Sequence, residues 1–430
     1  MRIVLGVAAA AVLLTACGGL TVDSSSSPDG GNDALIYEPL DAASSTDTSV
    51  SDGTASENDA PSGDAGTCSG STCVSFAPMQ VLPFTDIGIP NELAIGDVNG
   101  DGRLDIILLE NSLATNQQTV LLFLQDKSGT FPTDVAAAPG PVFGAWAVAD
   151  VNHDRRADIV EGNNGGIDVR TGQTDGTFAA PVSYPLNDGL AQPGPFLTVD
   201  FTGDGLTDVL SENEACIGCG TALFFFAQTA AGTLSGPTIQ QSTGAPGAAG
   251  DVNGDGVLDV AGLQTLQNVT TISVTPGVSP GMFGPAFSLP FNGMDMLSWG
   301  DVAAADVNGD GLDDLVVSND ENNPGSAILV SLQVNHVLQP PISYPSGDVA
   351  EALAIGDVTG DGRNDVVVEH TGWSAVGVYA QLPGGTLGAE TALPSVYGSD
   401  VLALGDLNGD GKLDIVTADQ QKLVIFYNTH

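Results

Sequence analysis

The chain has few basic residues, few aromatic residues and few cysteines. Only 9 of its 430 residues are Lys or Arg, against 53 Asp and Glu, which gives a formal net charge of -44. A chain with this charge cannot neutralise a phosphate backbone, so nucleic-acid binding is excluded, and anionic lipid head groups are poor partners. Aromatic residues make up 6%, while 56 glycines and 25 prolines favour turns and short strands over long helices. The composition therefore predicts a turn-rich, acidic, all-β protein.

The N-terminal apolar segment is too short to cross a bilayer. Residues 1–17 comprise Arg2, an apolar run from Ile3 to Leu14 and the ending Leu-Thr-Ala-Cys, which is typical of a cleaved secretory signal. This ending resembles the lipobox of bacterial lipoproteins, and the resemblance implies that Cys17 becomes the lipid-bearing first residue of the mature chain. An ordinary signal peptide that ends near a cysteine is the alternative. We expect an exported lipoprotein of the cell envelope, held at the outer membrane or cell surface through Cys17.

The composition of residues 18–74 predicts a linker rather than a folded domain. Between Gly18 and Gly66 the chain is rich in Ser, Asp, Gly and Thr and contains ten acidic residues and no Lys or Arg. Such a stretch cannot bury enough apolar surface to offset the entropy of ordering it. We therefore predict a disordered, self-repelling spacer between the membrane anchor and the remainder of the chain.

The remaining four cysteines form two close pairs in the sequence. A redox Cys-x-x-Cys normally opens a helix after a strand, and a zinc site needs more ligands, and neither context is visible here. Because an exported chain folds in an oxidising compartment, disulfides are the better interpretation. The predicted pairs are Cys68 with Cys73 and Cys216 with Cys219.

One motif recurs seven times in residues 75–430. Each copy reads Asp-x-Asn/Thr-x-Asp-x-x-x-Asp, and neighbouring copies lie about 50 residues apart, a period that suits a four-stranded blade. The copies are Asp97/Asn99/Asp101/Asp105, Asp150/Asn152/Asp154/Asp158, Asp200/Thr202/Asp204/Asp208, Asp251/Asn253/Asp255/Asp259, Asp306/Asn308/Asp310/Asp314, Asp357/Thr359/Asp361/Asp365 and Asp406/Asn408/Asp410/Asp414.

The flanks of the motif predict a closed ring of sheets. The strand before each copy has small residues at alternate positions, such as Ala94 and Gly96, except in the third copy, which has Leu197 and Val199. Small side chains suit strands that converge on a ring axis. After the seventh copy two more strands fit, and residues 75–83 match the missing fourth. We predict a seven-bladed β-propeller of four-stranded antiparallel blades, closed by an N-terminal strand that completes the last blade.

The motif places hard oxygen ligands on one side of a tight turn. Its first, third, fifth and ninth side chains, with the backbone carbonyl of the seventh residue, form the oxygen-only shell that Ca²⁺ prefers, whereas Mg²⁺ demands stricter geometry. An EF-hand would need helical flanks and Glu at the twelfth position, and plain hairpin turns would leave three carboxylates repelling one another. We predict up to seven Ca²⁺ ions. The Asp150 site is predicted to be the weakest, because His153 and Arg155 replace glycines.

The repeats resemble the FG-GAP/VCBS repeats of integrin α-subunit propellers and of many bacterial surface and secreted proteins. The resemblance implies calcium ions with a mainly structural role in the loops between the first and second strands, and ligands bound on the opposite face. Members of this family include adhesion receptors, lectins and a few polysaccharide-acting enzymes, so the fold does not choose among these functions.

The sequence predicts a binding protein rather than an enzyme. Its four histidines are scattered at non-equivalent points, and no Ser/His/Asp set or isolated carboxylate pair can be singled out. Trp299, Trp373 and Tyr397 lie near predicted loops opposite the metals, where they could stack on a sugar or anchor a protein, although packing between blades also explains them. We expect a cell-surface adhesion scaffold with a protein or glycan ligand. The alternative is a carbohydrate-binding lectin or polysaccharide-acting enzyme.

Overall fold

The computed structural model describes the repeat region in fifteen segments. These are residues 74–84, 88–112, 118–132, 134–137, 145–163, 165–186, 193–213, 221–242, 246–266, 269–289, 300–319, 325–347, 349–371, 374–396 and 401–429. Within them the chain forms strands and turns and no helix, so none that could span a bilayer. The predicted signal peptide, the predicted lipidation site at Cys17, nearly all of the predicted linker and both cysteine pairs lie outside the described residues.

Seven four-stranded antiparallel sheets form the blades. In chain order, the strands of blades 1 and 2 are Gly88–Gly96, Asp105–Ser112, Gln118–Phe123 and Asp134–Ala137, then Trp146–Ala149, Asp158–Asn163, Gly166–Arg170 and Val182–Pro185. Those of blades 3 and 4 are Pro193–Val199, Asp208–Asn213, Thr221–Phe226 and Thr238–Ser242, then Ala248–Gly250, Asp259–Leu266, Val269–Thr275 and Phe287–Leu289. Those of blades 5 and 6 are Val302–Ala305, Asp314–Asn319, Ala327–Ser331 and Ile342–Pro345, then Ala350–Gly356, Asp365–His370, Ala375–Tyr379 and Thr391–Pro394.

The seventh blade is built from both ends of the described chain. Leu402–Gly405, Asp414–Ala418 and Lys422–Phe426 supply three strands, and Gln80–Pro83 supplies the outer one. The pairing is antiparallel, with Gln80 opposite Ile425 and Pro83 opposite Lys422. The strand from the beginning of the repeat region thus covers what would otherwise be an exposed sheet edge.

Short two-stranded ribbons lie between the third and fourth strands of blades 3 to 6. The sequence pattern indicates only simple turns at these points. The ribbons are Gln228–Thr229 with Thr233–Leu234, Gly277–Ser279 with Met282–Phe283, Gln333–Val334 with Val337–Leu338, and Gln381–Leu382 with Thr386–Leu387.

The first strands of the blades form the inner ring. Each contacts the first strands of both neighbouring blades, and the first strand of blade 7 contacts that of blade 1. The hydrophobic core is correspondingly divided into seven clusters, each between two consecutive blades. The predicted seven-bladed β-propeller is confirmed.

Small residues allow each inner strand to pack closely against the neighbouring blade. A Cβ atom added to Gly96 would lie 2.9 Å from the Ala157 Cβ of blade 2, and one added to Gly250 would lie 2.8 Å from the Ala304 Cβ of blade 5. Blade 3 breaks the pattern with Leu197 and Val199, which share a cluster with Ala249 of blade 4. At this interface the small residue, Ala249, lies on the first strand of blade 4, so the interface stays packed.

Candidate metal centre

The seven motifs all occupy the connection between the first and second strands of their blades. In blade 1, Asp97 follows the last residue of the first strand and Asp105 is the first residue of the second. The ninth residue begins the second strand in every other blade as well. All the predicted side-chain ligands therefore lie at the same end of the ring.

Each loop folds around the carboxylate of its first aspartate. In all seven, the backbone N–H of the sixth residue donates to Oδ2 of this aspartate, at 2.7 to 2.8 Å. The sixth residue has a left-handed backbone, with φ of 83° at Gly102 and 68° at Arg155. The fourth residue does too, with φ of 74° at Gly100 and 62° at His153. The second loop thus keeps the common shape at a cost of about 1–2 kcal/mol per non-glycine residue.

The ninth aspartate is buried at the start of the second strand, and its carboxylate bonds to the motif loop and to the end of the third strand. These aspartates are at most 1% exposed. In every blade, Oδ1 accepts the N–H of a residue just after the third strand, at 2.7 to 2.9 Å. The second oxygen accepts the N–H of the second motif residue, as in Val98 to Asp105 at 3.0 Å, or of the third in blade 3, Thr202 to Asp208. The sequence indicates only a metal ligand at this position.

Burial strongly changes the ionisation of these aspartates. It raises the pKa to about 7 in Asp158, Asp259 and Asp314, and to about 6 in Asp105, Asp365 and Asp414. Backbone N–H donors oppose the shift, and the neighbouring aspartates of the loop add to it. A cation beside these groups would favour their ionised form.

In four of the seven blades, the side chain of the third motif residue accepts a hydrogen bond from the backbone of its own loop. In four loops the asparagine Oδ1 accepts the N–H of the fifth residue, at 2.9 to 3.0 Å. These asparagines are Asn99, Asn253, Asn308 and Asn408. Because an amide oxygen has two lone pairs, a backbone donor on one of them leaves the other available to a cation.

At the third motif position, two buried oxygens have no hydrogen-bond partner. Within the described residues, these are the buried Asn152 Oδ1 and Thr359 Oγ1 atoms. A buried oxygen without a donor, beside three carboxylates, suits a hard cation.

The fifth aspartate also engages the backbone of its loop. Its Oδ1 accepts the N–H of the seventh residue at 2.9 to 3.0 Å in all seven loops. Each carboxylate has about four lone-pair positions, so these bonds leave acceptor capacity for a cation. The seven residues are Asp101, Asp154, Asp204, Asp255, Asp310, Asp361 and Asp410.

The predicted ligand sets do not form ready-made metal sites. As the side chains stand, no group of three or more Asp, Glu, His or Cys in the described segments is arranged to hold a metal ion. The oxygens of these ligand sets bond to backbone N–H groups of the loops. The sets concerned are Asp97/Asn99/Asp101/Asp105, Asp150/Asn152/Asp154/Asp158, Asp200/Thr202/Asp204/Asp208, Asp251/Asn253/Asp255/Asp259, Asp306/Asn308/Asp310/Asp314, Asp357/Thr359/Asp361/Asp365 and Asp406/Asn408/Asp410/Asp414. The donor chemistry fits Ca²⁺, and the calcium sites stay a prediction.

Loops are also bonded to neighbouring blades. The Gln333 Nε2 of blade 5 donates to the Asp251 carbonyl oxygen of blade 4 at 2.8 Å, and the Asn428 Nδ2 of blade 7 donates to the Val358 carbonyl oxygen of blade 6 at 2.9 Å. The Gln125 side chain of blade 1 donates to the Leu407 carbonyl oxygen of blade 7, across the closure of the ring. The sequence reasoning missed these amides, although Gln or Asn after the third strand in five repeats was a visible signal.

Within the described part of the chain, one cavity lies beside the motif loops. Its volume is about 280 Å³, and its walls include Ile95, Leu104, Val148, Arg155 and Thr207. Apolar side chains from several blades dominate this surface. Trp299, Trp373 and Tyr397, the predicted contact residues of the opposite face, lie outside the described residues.

Comparison with known proteins places the chain in a family. The FG-GAP-like repeat model matches residues 97–161, 150–211, 306–368 and 357–417, which together exceed half of the chain. The protein therefore belongs to the FG-GAP-like repeat family. A search of curated proteins finds no match.

A solved structure shares the fold. It is an Agrocybe aegerita lectin described for its specific recognition of non-reducing terminal N-acetylglucosamine. The sequences are 17% identical, the alignment covers 78% of this chain and 86% of the lectin, and the TM-score is 0.51. At this identity the likeness concerns the fold alone.

Proposed function

We propose that this protein is a non-enzymatic, Ca²⁺-binding propeller that serves as a binding or adhesion scaffold at a bacterial surface. The main support is a single repeated observation. Seven loops at one end of the ring each carry oxygen ligands at the first, third, fifth and ninth positions. The Asn152 and Thr359 oxygens, which accept no hydrogen bond, are consistent with a cation in two of them.

The proposed role of calcium is structural. The loops contact neighbouring blades through bonds such as Gln333 to Asp251, so an ion that orders a loop also orders an interface between blades. An ion that binds the folded state alone stabilises it by about 2.7 kcal/mol per site when its concentration is 100 times Kd. Chelation should therefore lower the melting temperature.

The test compares one motif aspartate with an aspartate in an unrelated turn. Asp255→Asn removes one ligand charge from the blade 4 loop and should reduce the gain in melting temperature that calcium produces. Asp175→Asn is the matched control, because Asp175 accepts the Thr177 N–H in a turn outside the motifs. If chelation leaves the melting temperature of the unaltered protein unchanged, the structural role of calcium is wrong.

We further propose attachment to the membrane through a lipid on Cys17. The support is the Leu-Thr-Ala-Cys ending of the N-terminal apolar segment. Mass spectrometry of the mature protein from a bacterial host should find an acylated cysteine as the first residue. Cys17→Ser should abolish the lipid and release the protein from the membrane fraction. An unmodified mature N-terminus would contradict the proposal.

Carbohydrate binding is the second candidate function. The observation in its favour is the shared fold with a lectin that recognises N-acetylglucosamine. A glycan array, combined with hydrolase and lyase assays, separates this function from protein adhesion. Binding to a defined glycan would favour the lectin function, and turnover would contradict the non-enzymatic assignment. Absence of signal on every glycan would remove this candidate.

A further inference from the structure

The residue at the seventh motif position divides the loops into two groups. It is basic in blades 1, 2, 6 and 7 and apolar in blades 3, 4 and 5. The basic residues are Arg103, Arg156, Arg363 and Lys412, and the apolar ones are Leu206, Val257 and Leu312. Because blade 7 adjoins blade 1, each group occupies one continuous arc of the ring, the basic arc and the apolar arc.

The three arginines contact a proposed metal ligand directly. The guanidinium groups of Arg103, Arg156 and Arg363 form ion pairs with Oδ2 of the fifth aspartate of their own loops. Lys412 is more distant, with its Nζ 3.9 Å from Asp410 Oδ2.

A second bond fixes each arginine in place. Arg103 Nε donates to the Gln125 carbonyl oxygen at 3.1 Å, Arg156 Nε to that of Gly172 at 2.7 Å, and Arg363 Nε to that of Gln381 at 2.9 Å. In each case the acceptor follows the third strand of the same blade, and its N–H binds the ninth aspartate. The arginine is therefore held against the loop from two sides.

The apolar arc has no equivalent basic contact. Within the described residues, no Lys or Arg forms an ion pair with a motif aspartate of blades 3, 4 or 5. These loops present three motif carboxylates, with Asp313 as a fourth in blade 5. Those of the basic arc present three carboxylates and one cation, or two cations in blade 2, where Arg155 precedes Arg156. A histidine does approach the blade 4 loop, where a Cβ on Gly254 would lie 1.7 Å from His336 Nδ1.

We propose that the seven loops form two classes of Ca²⁺ site, with tighter binding in blades 3 to 5. This inference rests on the proposed calcium function. In blades 1, 2 and 6 an incoming ion competes with the arginine for the fifth aspartate, and in all four blades of the basic arc it meets a lower net negative charge. From the strength of exposed ion pairs, the difference should be about fivefold in Kd per site. When calcium is limiting, the three loops of the apolar arc fill first.

The experiment is a calcium titration of the mature chain by isothermal calorimetry, with reciprocal substitutions in the two arcs. Arg103→Leu gives the blade 1 loop the residue found in blades 3 and 5, and should move one site into the tight class. Leu312→Arg should move the blade 5 site into the class with weaker binding. Arg363→Leu repeats the first change in another blade, and circular dichroism verifies that each variant folds.

Two control substitutions separate local contact from overall charge. Lys127→Leu removes an exposed cation from a turn of blade 1, and Ile342→Arg adds one to the outer strand of blade 5. Neither should change the populations of the two classes. A single class in the unaltered protein, or loop variants that behave like these controls, overturns the inference and leaves the calcium function standing. No calcium binding at all overturns both.

Discussion

The ninth and fifth aspartates of one loop should differ sharply in their structural importance. In blade 5 the buried Asp314 accepts the Gln333 N–H at 2.7 Å and the Val307 N–H at 3.1 Å. Asp310 is exposed and accepts the Leu312 N–H at 3.0 Å. Both are proposed calcium ligands, but only Asp314 ties the loop to the end of the third strand.

The magnitude follows from the groups that each substitution leaves behind. Asp314→Ala leaves two buried backbone N–H groups without an acceptor, and each such group costs about 1–3 kcal/mol. The free energy of unfolding should therefore fall by roughly 2 to 6 kcal/mol, even in chelator. Asp310→Ala leaves its donor near water, so its cost in chelator should stay within about 0.5 kcal/mol. Asp314→Asn preserves one acceptor oxygen, so its loss of unfolding free energy should lie between those of the two alanine variants.

Urea denaturation in EDTA and in calcium measures both effects. In EDTA the two alanine variants should differ strongly in midpoint, whereas in calcium both should lose the stabilisation contributed by that site. Equal midpoints for Asp314→Ala and Asp310→Ala in EDTA would refute the structural role of the ninth aspartate.

Three further perturbations test other parts of the structure. Burial raises the pKa of Asp301 to about 8, so its stabilising effect is complete below about pH 4 and is lost towards pH 8. Asp301→Asn should weaken the fall in stability between about pH 4 and 8, which urea midpoints measured against pH would show, and an unchanged fall would contradict the raised pKa of Asp301. A Cβ on Gly172 would lie 2.5 Å from the Ala157 carbonyl oxygen, so Gly172→Ala should lower the free energy of unfolding by about 1–3 kcal/mol. Gly236→Ala is the control, because a Cβ there meets open space, and it should leave stability unchanged. Equal losses in the two variants would refute the packing argument. Arg155→Gly should raise unfolding free energy in EDTA by about 1 kcal/mol through relief of its left-handed backbone, and a loss would contradict this.

The number and order of the blades could be predicted because the motif is local and strictly spaced. Asp, Asn and Gly at fixed positions mark one turn per repeat, and the alternation of small residues such as Ala94 and Gly96 marks the inner strand. These signals depend on residues close together in the chain, so one repeat identifies the next.

Features that depend on contacts between distant residues could not be predicted in the same way. The bond from Gln125 to the Leu407 carbonyl oxygen joins residues from the first and last blades. The burial of the ninth aspartate depends on the end of the third strand, which lies 14 to 20 residues away in the chain. The first strand of blade 1 begins at Gly88, six residues before the small residue Ala94 that marks it in the sequence, because Gly88 pairs with Ser112.

The hydrogen bonding of the side-chain oxygens at the third motif position could not be predicted from the sequence pattern. Asn99 and Asn152 are the same residue type at the same position, yet only the Asn99 oxygen accepts a backbone N–H. Residue type and spacing identify the candidate ligands, whereas the direction of each side chain depends on small differences between the loops.

The left-handed residues of the second loop illustrate the same limit. His153 and Arg155 depart from the glycine pattern, and the sequence alone could indicate a damaged loop. The backbone nevertheless retains the common shape, since Asp150 accepts the N–H groups of Asp154 and Arg155. The strength of the site is a separate property, and its predicted weakness remains a prediction.

The most direct test of the calcium proposal is the metal content of the purified protein. The mature chain would be equilibrated with calcium, passed into metal-free buffer and analysed by elemental mass spectrometry against the protein concentration. We expect several calcium ions per chain, with an upper limit of seven. A content indistinguishable from the buffer, after loading at millimolar calcium and with the fold intact, would contradict the account.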